Sequence, residues 1–204
     1  MSPIPVNLAI EDELSESVLR TLLHHVNREY FVGTAYGRQG FGYLRKTVAG
    51  WNIGAKGQPF VLLTDLDDYA CPLALIQAWL NVPVHPNLVF RVAVREVEAW
   101  LLADRTNIAR FLSVRQEMVP LTCDNLPDPK QELVRLARSS RSKDIRERIT
   151  PRIGSTAQQG PDYNGCLGAF VKKTWDIQRA CTISPSLART VQRLIAFTPT
   201  WPQV

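Results

Sequence analysis

Apolar residues in the first half of the chain follow two alternating patterns. Short, nearly continuous apolar runs predict β-strands at residues 6–10, 60–64 and 88–94, and a weaker one at 30–35. Between these runs, apolar residues recur at helical spacing and predict helices at 14–26, 40–50, 72–80 and 96–103. This alternation predicts an α/β fold with a doubly wound, mostly parallel sheet whose strand carboxyl ends share one edge.

The second half of the chain is predicted to be helical. Helical spacing covers residues 130–139, 143–149, 166–181 and 187–197, and Ser184-Pro185 is a strong start signal for the last of these helices. A polar segment at 151–165, rich in Gly, Pro and Gln, predicts a mobile loop. We therefore predict an α/β core over residues 1–104 and a helical, basic extension over residues 105–204 that packs on it.

Charge is distributed unevenly over the 204 residues, although the net charge is only +5. Residues 1–129 hold 11 Lys and Arg against 14 Asp and Glu, a net −3, whereas residues 130–204 hold 13 against 5, a net +8. An acidic half joined to a basic half is what a metal site beside a polyanion-binding surface requires. Basic residues that merely solvate helix faces explain the pattern equally well.

The remaining bulk features predict a cytoplasmic protein without a membrane segment. No apolar run approaches the roughly 18 residues that a membrane helix needs. The first residues lack the basic region of a signal peptide. The four cysteines are widely scattered and form no zinc-binding spacing, which indicates reduced thiols.

Acidic residues follow two of the predicted strands directly. The first strand runs into Glu11-Asp12-Glu13, and the third runs into Asp65-Leu66-Asp67-Asp68. Ligands of open α/β sheets bind at the strand carboxyl ends, and Mg²⁺ or Mn²⁺ prefers carboxylate oxygens there. The favourable interaction of acidic residues with the N-terminus of a helix explains Asp12 and Glu13. It is a poor explanation for Asp65 and Asp67, because these residues directly follow a buried strand.

Two other phosphate-handling folds share parts of this pattern. Haloacid-dehalogenase-type phosphatases place an Asp-x-Asp after the first strand, whereas here it follows the third. Response-regulator receivers pair an acid after strand one with an Asp after strand three, as Asp12 and Asp65 stand here. Receivers also need a lysine late in the sheet, and no lysine occurs between Lys56 and Lys130.

The order and spacing of the acids resemble the Toprim domain, which has a Glu after the first strand and an Asp-x-Asp after the third. The segments LAIEDELSE, FVLLTDLDDYACP and VREVEAWLLAD resemble an uncharacterised bacterial Toprim-like family, some members of which accompany ATPases in phage defence. The resemblance covers residues 6–104, and DPKQEL and FVKKTWD extend it into the second half. One departure is Asp12, which replaces the glycine that usually follows the first Glu.

The resemblance implies a Mg²⁺ site at Glu11, Asp65 and Asp67, with Asp68 as a further ligand. It also implies Glu98 as a fourth catalytic acid, although a first-turn helix role explains Glu98 equally well. From the acid clusters and the charge asymmetry we predict metal-dependent hydrolysis of DNA or RNA phosphodiesters, in which Glu13 or Glu98 orients the attacking water.

Four basic residues are candidates for holding the nucleic-acid backbone: Arg38, Lys56, Lys172 and Lys173. Arg38 and Lys56 lie in predicted loops expected to border the acidic cleft, and Trp175 follows the lysine pair as a candidate stacking residue. A solvated surface is the competing interpretation. Beyond nucleic acid, an ATPase and a second copy of the chain are further candidate partners. The rival functions are a non-catalytic interaction module working with an ATPase, and a small-molecule phosphatase.

Overall fold

Four parallel strands form a sheet in the centre of the fold. The computed structural model describes residues 3–201, in which the strands are β1 (Ile4–Ile10), β2 (Tyr30–Gly37), β3 (Phe60–Asp65) and β4 (Leu88–Ala93). They lie in the order β2-β1-β3-β4, and every pairing is parallel.

Helices connect the strands and make up the second half of the described chain. Those of the first half are α1 (Glu13–His25), α2 (Phe41–Gly54), α3 (Pro72–Trp79), α4 (Val97–Ala103) and α5 (Arg105–Phe111). After a 3₁₀ turn at Gln116–Met118 come α6 (Pro129–Arg138), α7 (Lys143–Ile149), α8 (Tyr163–Lys173), α9 (Ile177–Ile183) and α10 (Pro185–Ala196). No helix of the described residues is long and apolar enough to cross a membrane.

Helices cover both faces of the sheet, which explains why the strand sequences are apolar throughout. Alternate side chains such as Leu8 and Leu63 pack into a core with α1, α4 and the later helices. Their neighbours Ala9 and Leu62 face the opposite way, into a second core with α2 and α3. The predicted doubly wound α/β fold with C-terminal helices is thereby confirmed.

The strand order places a topological switch point between β1 and β3. The chain leaves β1 toward β2 on one side and then returns across β1 to build β3 and β4 on the other. Ligands of open α/β sheets bind outside the strand carboxyl ends at such a point. Ile10 pairs with Leu63, so Glu11 and Thr64 are next to each other at that edge.

The helix prediction at 166–181 is wrong, because two helices occupy that region. Thr174 ends the first helix, and Asp176 starts the next by accepting a hydrogen bond from the Arg179 backbone N–H. The backbone N–H of Asp176 donates to the buried Asp104, which fixes the break. The predicted loop also ends early, since α8 begins at Tyr163.

Contacts of the later helices with the sheet region fix their positions. Helix α8 packs along α1, and α10 packs against β4. At the start of α10, the Ser186 hydroxyl accepts hydrogen bonds from the Trp100 indole N–H at 2.5 Å and from the Val94 backbone N–H at 3.3 Å. Asp124 in turn accepts hydrogen bonds from the Ser184 hydroxyl and the Ser186 backbone N–H.

Candidate metal centre

Glu11 follows β1 directly, and hydrogen bonds from β3 fix its carboxylate. Its Oε1 accepts hydrogen bonds from the Thr64 hydroxyl and from the Asp65 backbone N–H, the latter at 2.9 Å. Burial raises the pKa of Glu11. The two hydrogen bonds lower it, and the nearby charges of Asp67 and Asp12 raise it further. The carboxylate therefore points across the switch point from β1 toward β3.

Asp65 ends β3 and lies buried between the strand edge and α4. Its Oδ1 accepts a hydrogen bond of 2.9 Å from the Val97 backbone N–H, at the first residue of α4. Burial first, and then the charges of Glu11 and Glu98, hold the pKa of Asp65 well above its usual range. Asp65 thus shares one electrostatic environment with acids from two other segments.

Asp67 and Asp68 lie in the loop that follows β3, and both are exposed. The Asp67 backbone has a φ of 47°, in the left-handed region that aspartate tolerates better than most residues. The Arg95 side chain donates a hydrogen bond of 2.7 Å to the Asp67 carbonyl and so ties this turn to the end of β4. Partial burial of the carboxyl raises the pKa of Asp67, the charge of Lys130 opposes this rise, and the charge of Asp68 adds to it.

Lys130, at the start of α6, supplies a positive charge to this acidic cluster. Its Nζ lies 3.9 Å from Glu96 Oε1 and 3.7 Å from Glu98 Oε1, and its backbone N–H donates to Glu96 Oε2 at 2.8 Å. Burial lowers the pKa of Lys130, but the charges of Glu98 and Glu96 outweigh burial and raise it. Lys130 is therefore a fixed cation beside the carboxylates.

Glu98 is the most buried acid of the cluster, with 1% of its surface exposed. Its Oε1 accepts a hydrogen bond of 3.0 Å from the Tyr163 hydroxyl, and its Oε2 has no hydrogen-bond partner among the described residues. Glu98 lies behind the open cleft, whereas Glu96 lines it. This geometry places Glu96, rather than Glu98, where a substrate has direct access.

An open cleft of about 680 Å³ lies beside these acids. Its walls come from the loops after β3 and β4, from the start of α2 and from the segment before α6. The lining residues are Phe41, Asp67, Asp68, Tyr69, Arg95, Glu96, Pro127 and Asp128. The cleft is wide enough for a phosphate group, and four of its eight lining residues are acidic.

The donor set suits Mg²⁺ in chemistry but is not pre-assembled. Within residues 3–201, no three His, Cys, Asp or Glu side chains lie close enough together to form a ready-made metal site. The available donors are carboxylate oxygens, which Mg²⁺ prefers, and the buried Oε2 of Glu98 has no hydrogen-bond partner among the described residues. Mg²⁺ commonly takes one or two protein carboxylates and completes its shell with water and phosphate oxygens, so these residues fit it.

Three of the four predicted basic residues lie together. Arg38, Lys172 and Lys173 line a second cleft, of about 560 Å³, between α1 and α8. Lys56 lies before β3, at the amino edge of the sheet, so the expectation that it borders the acidic cleft is wrong. Trp175 is also no stacking platform, because it is 7% exposed and its indole N–H donates to the Trp100 carbonyl.

Thr64, Lys130 and Tyr163 are site residues that sequence reasoning missed. The segment DPKQEL, which contains Lys130, carried part of the resemblance and was the available signal for it. Thr64 stands inside the apolar run of β3, where it reads as a core residue. Tyr163 stands in the polar segment 151–165 that was predicted to be a loop, so neither pattern marked these two as site residues.

No family model, curated protein or solved structure matches the chain. The interpretation of the site therefore depends on its own residues and geometry.

Proposed function

We propose that this protein is a Toprim-like, Mg²⁺- or Mn²⁺-dependent nuclease that hydrolyses phosphodiester bonds of nucleic acid. The observation that carries the proposal is that Glu11 and Asp65 meet at the switch point between β1 and β3, with the charge of Asp67 close enough to act on Glu11. Like charges held close together repel each other, and a bound cation relieves that repulsion.

In this proposal, each acid has a distinct task. Glu11, fixed by two hydrogen bonds, and Asp67, on the open side, present oxygens to the cation, and Asp65 supports them from the buried strand end. A divalent cation at this site supplies charge stabilisation of the scissile phosphate and lowers the pKa of a water molecule. Glu96 lines the cleft and is placed to orient that water, a task that sequence reasoning gave to Glu13 or Glu98.

Lys130 has a separate task in the same proposal. Phosphodiester hydrolysis builds negative charge on the phosphate oxygens, and pre-oriented cations beside that charge lower the barrier. The ammonium group is held by Glu96 and Glu98 and already lies in the cluster before substrate arrives. It thereby limits the repulsion between the acids and an incoming polyanion.

The test is cleavage of plasmid, single-stranded DNA and tRNA with Mg²⁺ or Mn²⁺, comparing the wild type with Asp65→Asn. Asparagine keeps the shape and the acceptor for the Val97 N–H but loses the charge, so we expect cleavage to fall roughly 100-fold or more. Asp144→Asn is the matched control, because Asp144 is an exposed acid on α7. Equal cleavage by the wild type and Asp65→Asn would sink the proposal.

A partner-activated or non-catalytic module working with an ATPase is the second candidate. The observation that favours it is that no three acids among residues 3–201 are close enough to bind metal as they stand. On this alternative, the isolated protein cleaves none of the three substrates, and cleavage or ATPase stimulation requires the partner.

A further inference from the structure

A groove between α1 and α8 carries a strong concentration of basic side chains beside the candidate metal centre. We call it the α1–α8 groove, with a volume of about 560 Å³. Its lining residues are Glu13, Glu16, Ser17, Arg20, Arg38, Asn164, Gly165, Gly168, Ala169, Lys172 and Lys173. Four of these side chains are basic and two are acidic.

The acidic charge of the groove is largely satisfied. Glu16 accepts hydrogen bonds from Arg20 at 2.8 Å and from Arg38 at 2.6 Å, and Arg38 holds the pKa of Glu16 below its ordinary value despite partial burial. Glu16 therefore fixes the two guanidinium groups on one wall. On the other wall, Lys172 and Lys173 are exposed at the end of α8. The groove presents cations on both sides.

The groove begins next to the acidic edge of the sheet. The backbone N–H of Arg38 donates to the Ile10 carbonyl at 3.0 Å, and that of Gly40 donates to the Glu11 carbonyl at 3.0 Å. These two bonds fix the Arg38 loop directly beside the end of β1. A chain that lies in the groove is thereby led toward Glu11.

Small residues on α8 let this helix pack closely against α1 along the groove. Gly165, Gly168 and Ala169 line it, and a Cβ at Gly168 would lie only 3.3 Å from the Ser17 hydroxyl on α1. From Gly165 to Lys173 the helix advances by about 12 Å, which is long enough for more than one phosphate. Cations on both walls of a long, open groove suit an extended polyanion better than one small anion.

We propose that the α1–α8 groove binds the sugar-phosphate backbone of the nucleic-acid strand on one side of the bond to be cleaved. This inference rests on the proposed nuclease function and names the surface that holds its substrate. Lys172 and Lys173 contact phosphates directly, while Arg20 and Arg38 do so from their positions on Glu16. The contact is with the backbone, so it is independent of base sequence.

The first test measures binding without cleavage. Fluorescence anisotropy in EDTA follows labelled single strands of DNA and of RNA, about twenty nucleotides long, over a range of salt. Each phosphate contact contributes roughly 0.7 to the slope of log affinity against log salt, so Lys172→Gln/Lys173→Gln should reduce the slope by about 1.4 and weaken binding roughly 10-fold or more at 0.1 M salt. Comparison of the two labelled strands shows whether DNA or RNA is preferred.

The matched control removes the same charge elsewhere in the basic half. Lys143→Gln/Arg152→Gln changes two exposed residues outside the groove, at α7 and the segment after it, and should leave the slope unchanged. If both double variants lower the slope equally, binding is a general effect of net charge and the groove proposal fails.

A second pair of variants tests the groove itself. Ala169→Glu puts a negative charge between the basic walls, whereas Ala169→Gln adds nearly the same volume without charge, and both residues favour helix. We expect Ala169→Glu to weaken binding at least 10-fold relative to Ala169→Gln. Equal affinities would contradict the proposal.

Failure of the groove and failure of the nuclease proposal are distinguishable. If Asp65→Asn loses cleavage while all groove variants bind like the wild type, the metal centre stands and the groove is wrong. If the groove variants lose binding in EDTA but no protein cleaves, the groove stands and the nuclease proposal is wrong.

Discussion

Glu98 shows how one residue responds to several neighbours at once. Burial is the largest effect and raises its pKa to about 7, while Lys130 opposes the rise and Glu96 and Asp12 add to it. The Tyr163 hydroxyl donates to the same carboxyl group, and burial first, then the charge of Glu98, raise the pKa of Tyr163 well above its ordinary value. Glu98 therefore changes its charge near neutral pH, without direct access from the cleft.

A pH dependence of stability follows from that raised pKa. Between about pH 4.5 and pH 7 the folded protein keeps a proton on Glu98 that the unfolded chain has released, so the free energy of unfolding falls as pH rises through this window. Glu98→Gln removes this loss. As the pH rises from about 5 to about 8, we expect the free energy of unfolding of the variant to increase by on the order of 2 to 3 kcal/mol relative to that of the wild type.

Urea unfolding of the wild type and of Glu98→Gln in EDTA, each at about pH 5 and about pH 8, measures this difference. Glu147→Gln, an exposed acid on α7, is the control and should show no such change with pH. A difference between Glu98→Gln and the wild type that is the same at both pH values would mean that Glu98 titrates normally.

Among the elements, α10 depends on a small polar contact for its position. Its first turn inserts the Ser186 hydroxyl between the Trp100 indole and the Val94 backbone, at the junction of β4 and α4. Trp100 is fully buried, so its N–H has no access to water. The contact links the C-terminal helix to the strand edge that carries the candidate site.

Ser186→Ala tests this link. Loss of the hydroxyl leaves the buried indole N–H without an acceptor, so we expect the free energy of unfolding to fall by about 1 to 3 kcal/mol. Chemical denaturation measures the change, with Ser139→Ala at an exposed helix end as the control. A loss as small as that of the control would show that Ser186 does not hold α10.

Strand and helix elements were predictable where their patterns were strong. The apolar runs of β1, β3 and β4 and the stripe of α1 follow from burial alone, and Asp12 caps α1 by accepting a hydrogen bond from the Ser15 N–H. The break between α8 and α9 was not predictable, because it depends on a hydrogen bond from Asp176 to Asp104, 72 residues away. The sequence around the break gives no indication of this long-range hydrogen bond.

At the scale of the whole molecule, the acidic and basic halves meet at one edge of the sheet. The acids of the first half end β1 and β3, so parallel topology alone predicted that Glu11 and Asp65 meet. Lys130 joins them from the start of α6, and α8 brings Lys172 and Lys173 to α1. The positions of these lysines depend on how the later helices pack, and the order of the motifs along the chain does not specify that packing.

A divalent cation held by the carboxylates at the switch point is the basis of the proposed chemistry, and Mn²⁺ titration measures its binding. Calorimetric titration of the wild type should give one or two sites, and Asp67→Asn should weaken them roughly 10-fold or more, while Asp144→Asn has no effect. Binding that is absent from the wild type, or unchanged in Asp67→Asn, would contradict the account.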